Sequence, residues 1–247
     1  NYPQAVIAGI PVTTQSDVKS RWPDGSVKHA IISFYIPTLN ANSGIVVTFQ
    51  NQATTNNVPL TKIDMLDPRY DFDAVMELTN GVTQSASAKG MLNADAYTYW
   101  MQGPVATSII LADHSTSRAF DMGFDSFRSI RPIFHATFWP TINKVRVRYI
   151  GEIANTEALQ DQVYSLALKL GSTSPVTVYT KPAFTHYGAT RWTKEFWIGS
   201  APSAIAIDNN LKYLAATNFI PNYDSSKAIS QTTISSAYSS WLSSSRD

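Results

Sequence analysis

The chain of 247 residues is long enough for one large domain or two small ones, and 19 Lys and Arg against 18 Asp and Glu leave a net charge of +1. That balance excludes a global pull toward nucleic acid or an anionic membrane, and only 15% of residues are charged, below the roughly 25% usual in soluble domains. With no cysteine, a disulfide framework, a thiolate metal site and a cysteine nucleophile are excluded as well.

Period-two patterning dominates the first 200 residues and predicts strands. Residues 27–36 (VKHAIISFYI) follow the turn pair Asp24-Gly25, in which Gly accepts a positive φ and Asp caps its own turn. His29 shares a face with Val27 and Ile31 and is expected to point to the core. Residues 44–50 (GIVVTFQ) are predicted to form a hairpin with 27–36. Further strands are expected at 71–79, 97–102 and 105–112, the last two divided by Gly103-Pro104. Residues 130–139 and 143–151 flank Pro140-Thr141-Ile142 as a second hairpin, and 163–170, 176–180 and 190–198 complete the set. These elements predict an all-β fold over 1–199, a sandwich or barrel of about ten strands.

The pattern changes after Gly199. Over 204–218, Ile207, Leu211, Leu214 and Ala215 recur at helical spacing behind Asp208, an expected N-cap. Residues 222–247 are Ser-rich, with a second helix expected around 230–242. The segment 200–247 therefore reads as a short helical linker, or as helices that pack on something beyond the chain.

Four histidines, His29, His114, His135 and His186, lie at no metal-ligand spacing, and neither a Gly-x-Ser-x-Gly elbow nor a phosphate-binding glycine loop occurs. No metal and no cofactor is expected. Asp64, Asp67, Asp71 and Asp73 cluster near a loop–strand junction, where a glycosidase carboxylate pair competes with the preferred reading of solvated turn caps. In KVRVRY, Lys144, Arg146 and Arg148 share one strand face, a surface for a polyanion such as a uronate-containing polysaccharide, because guanidinium donates two parallel hydrogen bonds to a carboxylate. The plainer alternative is a solvated face balanced by Glu152 or Asp125.

The stretch THYGATRWTKEFWIG (185–199) gathers the remaining candidates. β-Elimination of a uronic acid needs a cation for the enolate, a base for the C5 proton and an acid for the leaving oxygen. Arg191 suits the first role and His186 and Tyr187 the others, with Trp192 and Trp197 as stacking platforms. Read as a strand, the same stretch places Arg191, Thr193, Glu195 and Trp197 on one side and Trp192 on the other.

The run QSDVKSRWPDGSVKHAIISFYIP (15–37) resembles the Trp-Pro-Asp-Gly-Ser-Val-Lys signature that opens the N-terminal β domain of bacterial exo-rhamnogalacturonan-lyase-like proteins. RWTKEFWIG together with IDNNLKYLAATNFIPNYD (191–199, 207–224) is similar to a later stretch of secreted bacterial proteins with the same start. The resemblance implies a RIFT-type barrel, a helical toroid following in a longer parent chain, and a polysaccharide substrate. His29 stands where that signature commonly has tryptophan, and no catalytic residue is carried over.

Aromatic residues at 12%, including six Trp and twelve Tyr, with many hydroxyl and amide side chains, suit contact with sugars or with other subunits. The absence of Asn-x-Ser/Thr, the low charge and a start at Asn1 point to a processed bacterial protein, secreted or periplasmic. The functional expectation is a carbohydrate-active β domain that binds, or helps cleave, an acidic polysaccharide. The alternative is a self-associating structural subunit of a fibre or surface layer. Neither nucleic acid nor membrane is an expected partner.

Overall fold

A computed structural model describes residues 1–154, 160–207, 211–221 and 229–244. The fold is an all-β sandwich built from antiparallel sheets, with few helices. Fourteen strands run along the described residues in chain order. The N-terminal five are β1 (Tyr2–Ile7), β2 (Ile10–Pro11), β3 (Thr14–Arg21), β4 (Val27–Phe34) and β5 (Val47–Gln52). Then come α1 (Lys62–Met65), β6 (Ala74–Asn80), β7 (Val82–Ser87), α2 (Ala88–Asn93), β8 (Tyr97–Met101) and β9 (Thr107–Leu111). The last five strands are β10 (Ile130–Trp139), β11 (Lys144–Ile153), β12 (Gln162–Leu170), β13 (Val176–His186) and β14 (Arg191–Ile198).

One layer of the sandwich has the order β14-β11-β10-β9-β8 and the other β13-β12-β6-β7. Their inner faces meet through alternate residues, as period two requires: Phe134, Ala136, Phe138, Val145, Val147 and Tyr149 from the first, and Met76, Leu78, Tyr164, Leu166 and Leu168 from the second. Edge-to-face rings tie the core together, Phe134 on Tyr149 at 5.4 Å and Tyr70 on Phe138 at 5.2 Å between centroids. β10 and β11 pair in unbroken register from Ile130↔Ile153 to Trp139↔Lys144. A single 3-10 turn, Pro140–Ile142, joins them, and Asn143 closes it at φ 49°.

One close approach depends on a glycine. Gly151 of β11 lies opposite Trp192 of β14, and a Cβ placed there would fall 2.5 Å from the indole. Gly151→Ala must push the ring away from its packed position and is expected to cost about 1–3 kcal/mol. Equilibrium urea unfolding checks this. A loss under about 0.5 kcal/mol would mean that the ring is free to shift.

The N-terminal strands depart from the expected pairing. Residues 27–36 and 44–50 do not form a hairpin: β4 pairs with β3, and β5 pairs with β1. β3 escapes a period-two search because it buries polar side chains, with Thr14, Gln15, Ser16 and Asp17 all under 7% exposed. Gln15 makes this tolerable by satisfying backbone groups on a distant loop, donating to the Ala106 carbonyl at 2.7 Å and accepting from the Ala106 amide at 3.0 Å. Asp17 likewise accepts from the Gln102 amide at 2.7 Å. His29 is exposed on β4, not directed to the core.

The capping expectations hold in detail. Asp24 accepts from the Ser26 hydroxyl at 2.7 Å and from the Ser26 amide at 2.9 Å, which together, the hydroxyl first, hold its carboxyl below the usual range. Asp64 completes a capping box with Thr61, Asp67 caps the turn Pro68–Tyr70, and Asp71 accepts from the Thr173 amide at 2.7 Å. Asp73 accepts from Ala74, Ser87 and Lys89. All four carboxylates of that cluster are thus engaged by donors, Asp64 and Asp67 by local ones and Asp71 by the distant amides of Ser172 and Thr173.

The chain divides into two compact units, Asn1–Ala201 and Pro202–Asp247. The second contains α3 (Leu211–Ala216) and α4 (Gln231–Leu242), and neither helix has a buried residue. The expected N-cap Asp208 lies outside the described residues. α4 carries Ile234, Tyr238, Trp241 and Leu242 along one side, all exposed, with the Tyr238 and Trp241 rings stacked at 5.8 Å. No helix among the described residues is long and apolar enough to cross a membrane.

Candidate functional site: the outer face of the five-stranded sheet

While odd positions of β11 from Val145 to Tyr149 fill the core, Lys144, Arg146 and Arg148 project from the other face of the sheet. Register places Trp197 opposite Arg146 and Glu195 opposite Arg148 on β14, with His135 and Thr137 opposite Arg148 and Arg146 on β10. The indoles of Trp139 and Trp197 reach over β11 and stack at 5.0 Å with an interplanar angle of 25°. The Arg146 guanidinium sits over both rings, 5.4 Å from the centroid of Trp139 and 6.0 Å from that of Trp197. Arg148 donates from Nη2 to Glu195 at 2.9 Å and from Nε at 3.2 Å, while Arg146 Nε lies 3.8 Å from the same carboxylate oxygen. Lys144 donates to the carbonyl and hydroxyl oxygens of Ser200, the latter at 3.0 Å.

Next along the strands, Glu152 of β11 stands between Arg131 of β10 and Arg191 of β14. The face therefore carries five cations, Arg131, Lys144, Arg146, Arg148 and Arg191, against the carboxylates Glu152 and Glu195. The Arg148 and Glu195 side chains are 48% and 34% exposed, so their pair is worth under about 1 kcal/mol. His135, half-buried beside Arg148, is pushed below the ordinary imidazole value of 6.5 by burial first and by Arg148 and Arg191 second.

The other expected residues lie elsewhere. Trp192 faces inward, and its Nε1 donates to the Tyr164 hydroxyl at 3.0 Å. Tyr164 lies 2.9 Å from His186 Nδ1, and His186 Nε2 lies 3.1 Å from the Thr190 carbonyl. A carbonyl only accepts, so Nε2 carries the proton; burial, which pushes this imidazole below 6.5, favours the neutral form, in which Nδ1 accepts from Tyr164. Both ring nitrogens are engaged in a residue 2% exposed, which leaves no lone pair to meet a substrate. Tyr187 is 60% exposed, and its carbonyl accepts from the Thr190 hydroxyl at 2.6 Å. Thus Arg191 and Trp197 join the basic residues on the outer face, whereas His186 and Trp192 belong to an interior network. Arg191, His186 and Tyr187 do not form one constellation.

Trp139 and His135 complete the face and were not singled out from sequence. The signal was present, because pairing 130–139 with 143–151 across Pro140-Thr141-Ile142 sets Trp139 against Lys144. Among the described residues, no three His, Asp or Glu side chains converge as metal ligands would.

Burial also makes the fold acid-sensitive. Burial pushes His186 down as well, with the Thr190 contact opposing it. Both imidazoles thus have folded-state values below the unfolded 6.5, so the unfolded chain binds more protons as pH falls past that point. Stability is expected to be fully present above pH 6.5 and to decline below it. A second decline follows below the ordinary carboxyl value of 3.8, as Asp71, Asp113 and Asp125, whose folded-state values are lowered, protonate. Asp121, raised by burial, works in the opposite sense. Thermal melts from pH 7.5 to 5 check this, and a flat midpoint would show that both imidazoles protonate in the fold as readily as in the unfolded chain.

No family model matches this chain, nor does any curated protein or solved structure.

Proposed function

We propose that the outer face of the five-stranded sheet binds an acidic polysaccharide. The observation that carries this reading is the Trp139–Arg146–Trp197 stack beside Arg148, which sets aromatic surface against two guanidinium groups on one flat face. Indole faces suit the C–H face of a pyranose, and the guanidinium groups suit the carboxylates of successive uronates. Strand pairing fixes the lateral spacing of these groups, so little ordering accompanies binding.

With His186 held in the interior network, the face supports binding more directly than β-elimination. The resemblance of the 15–37 segment to polysaccharide-lyase-like proteins points to the same substrate class and to secretion. Affinity electrophoresis through gels containing polygalacturonate, alginate or neutral dextran tests the proposal. Retardation by the acidic polymers that weakens as salt is raised from about 50 to 500 mM is expected. Equal mobility in all gels would overturn it, and release of ultraviolet-absorbing unsaturated uronates would restore a lyase reading.

A second reading, assembly into a fibre or surface layer, rests on the exposed apolar side of α4 and on Ile10 and Phe49 of the N-terminal strands and Val46 just before β5, each more than half exposed. Light scattering at rising protein concentration separates the two, since a monomer that still binds polyuronate excludes assembly as the main role.

A further inference from the structure

Strand register on the outer face of the five-stranded sheet isolates one titratable group. His135 of β10 stands opposite Arg148 of β11 on one side and opposite Ile110 of β9 on the other. Its neighbours along β10 on the same face are Ile133 and Thr137, and Arg146 lies diagonally, opposite Thr137. β9 carries no titratable side chain, and those of β8, Tyr97 and Tyr99, pack on the core. Across Arg148 on β14 stands Glu195, with Arg191 further along the same strand.

Both carboxylates of the face are committed away from His135. Glu195 accepts from Nε and Nη2 of Arg148 on the far side of β11, and Glu152 stands between Arg131 and Arg191. The charges that act on the imidazole are Arg148 and Arg191, both of the sign that opposes its protonation. The two ring nitrogens of His186 are engaged. Those of His135 have no hydrogen-bond partner among the described residues. An imidazole with unused nitrogens thus lies beside guanidinium groups and lacks only an anion. Residues directly opposite in an antiparallel pair have Cβ atoms roughly 5 Å apart, so a carboxylate seated on Arg148 comes within reach of the His135 ring.

We infer that His135 is a further binding residue of this face, one that takes up a proton from solvent as a uronate carboxylate settles on Arg148 and donates a hydrogen bond to that carboxylate. The inference rests on the polysaccharide reading above and names how that site is regulated. No bond of the ligand changes: neutral imidazole gains one proton and becomes imidazolium. Burial and the two guanidinium groups keep the ring neutral at pH 7 in the free protein, and a bound carboxylate favours the charged ring. Binding therefore tightens as pH falls from 7.5, and levels off once the ring is protonated in the free protein too. A neutral polysaccharide brings no such charge, so mild acid sharpens the preference for an acidic one.

Calorimetric titration of the full chain with polygalacturonate, in two buffers of different ionisation enthalpy, counts the protons. An uptake of about 0.3–1 proton per bound site near pH 6.5 is expected, with affinity about three- to tenfold higher at pH 5.5 than at 7.5. Carboxylates of the polymer, with ordinary values of about 4, stay ionised across this window. Melts on the same samples verify that the chain is folded at pH 5.5. In NMR titrations, bound polymer is expected to move the His135 ring signal to a higher midpoint and to leave that of interior His186 in place. His135→Gln, which also identifies the signal, is expected to bind without proton uptake and with an affinity flat between pH 7.5 and 5.5. Should that variant not fold, the shift of the parent's signal decides. Binding with no proton uptake, an unmoved His135 midpoint, or an uptake that persists in His135→Gln overturns the inference and leaves the polysaccharide reading standing. No binding at any pH overturns both.

Discussion

Replacing Arg146 and Arg148 together by glutamine is expected to weaken polyuronate binding about 100-fold or more while the thermal midpoint stays within about 2 °C. Each guanidinium offers charge-assisted hydrogen bonds worth roughly 1.5–3 kcal/mol to a bound carboxylate, and 1.4 kcal/mol is tenfold in affinity. The fold loses little, because the exposed pairs with Glu195 contribute under about 1 kcal/mol and glutamine keeps much of the stem over the Trp139 and Trp197 rings. Quantitative affinity electrophoresis with a melt on the same sample reads both numbers. Binding that stays within threefold of the parent would move the site away from β11. Trp197→Ala refines the result by testing stacking apart from charge.

The second large effect concerns the interior. Tyr164→Phe removes one oxygen and strands two partners, the Trp192 Nε1–H and the His186 Nδ1 lone pair. Leaving buried polar groups unsatisfied costs roughly 1–3 kcal/mol each, so a loss of about 2–5 kcal/mol is expected by urea unfolding. At roughly 2–4 °C per kcal/mol for a domain of this size, the midpoint drops by about 5–15 °C. A loss under about 0.5 kcal/mol would show that water replaces the hydroxyl. Polyuronate binding should survive, because the network lies on the other side of the sheet from Arg146 and Arg148.

Where side chains alternate cleanly, the sequence was sufficient. KVRVRY announced its basic face through spacing alone, and the hairpin of two ten-residue strands around Pro140-Thr141-Ile142 followed from apolar residues on both sides of a turn. Asp24, Asp64 and Asp67 announced themselves as caps, because each carboxylate has an amide two or three residues away within reach, whereas Asp71 is held by the Ser172 and Thr173 amides, which no local pattern foretells. What was not legible depends on distance along the chain. β3 reads as loop because Gln15 and Asp17 find their partners near residues 102–106, and no local pattern encodes that. His186 drew attention as a base for the same reason, since Tyr164, which occupies its Nδ1, lies 22 residues away.

The β10–β11 hairpin also bears on how the face comes into being. Its ten pairs close around a three-residue turn, so the entropy of loop closure is small and the hairpin belongs among the fast events of folding. β14 arrives across the whole of β12 and β13, from Glu152↔Arg191 to Val145↔Ile198. The nascent chain therefore presents Arg146 and Arg148 beside Trp139 before Glu195 and Trp197 exist to flank them. Completion of the basic face is therefore a late, long-range event that waits on the docking of the edge strand β14 rather than on the residues at its centre.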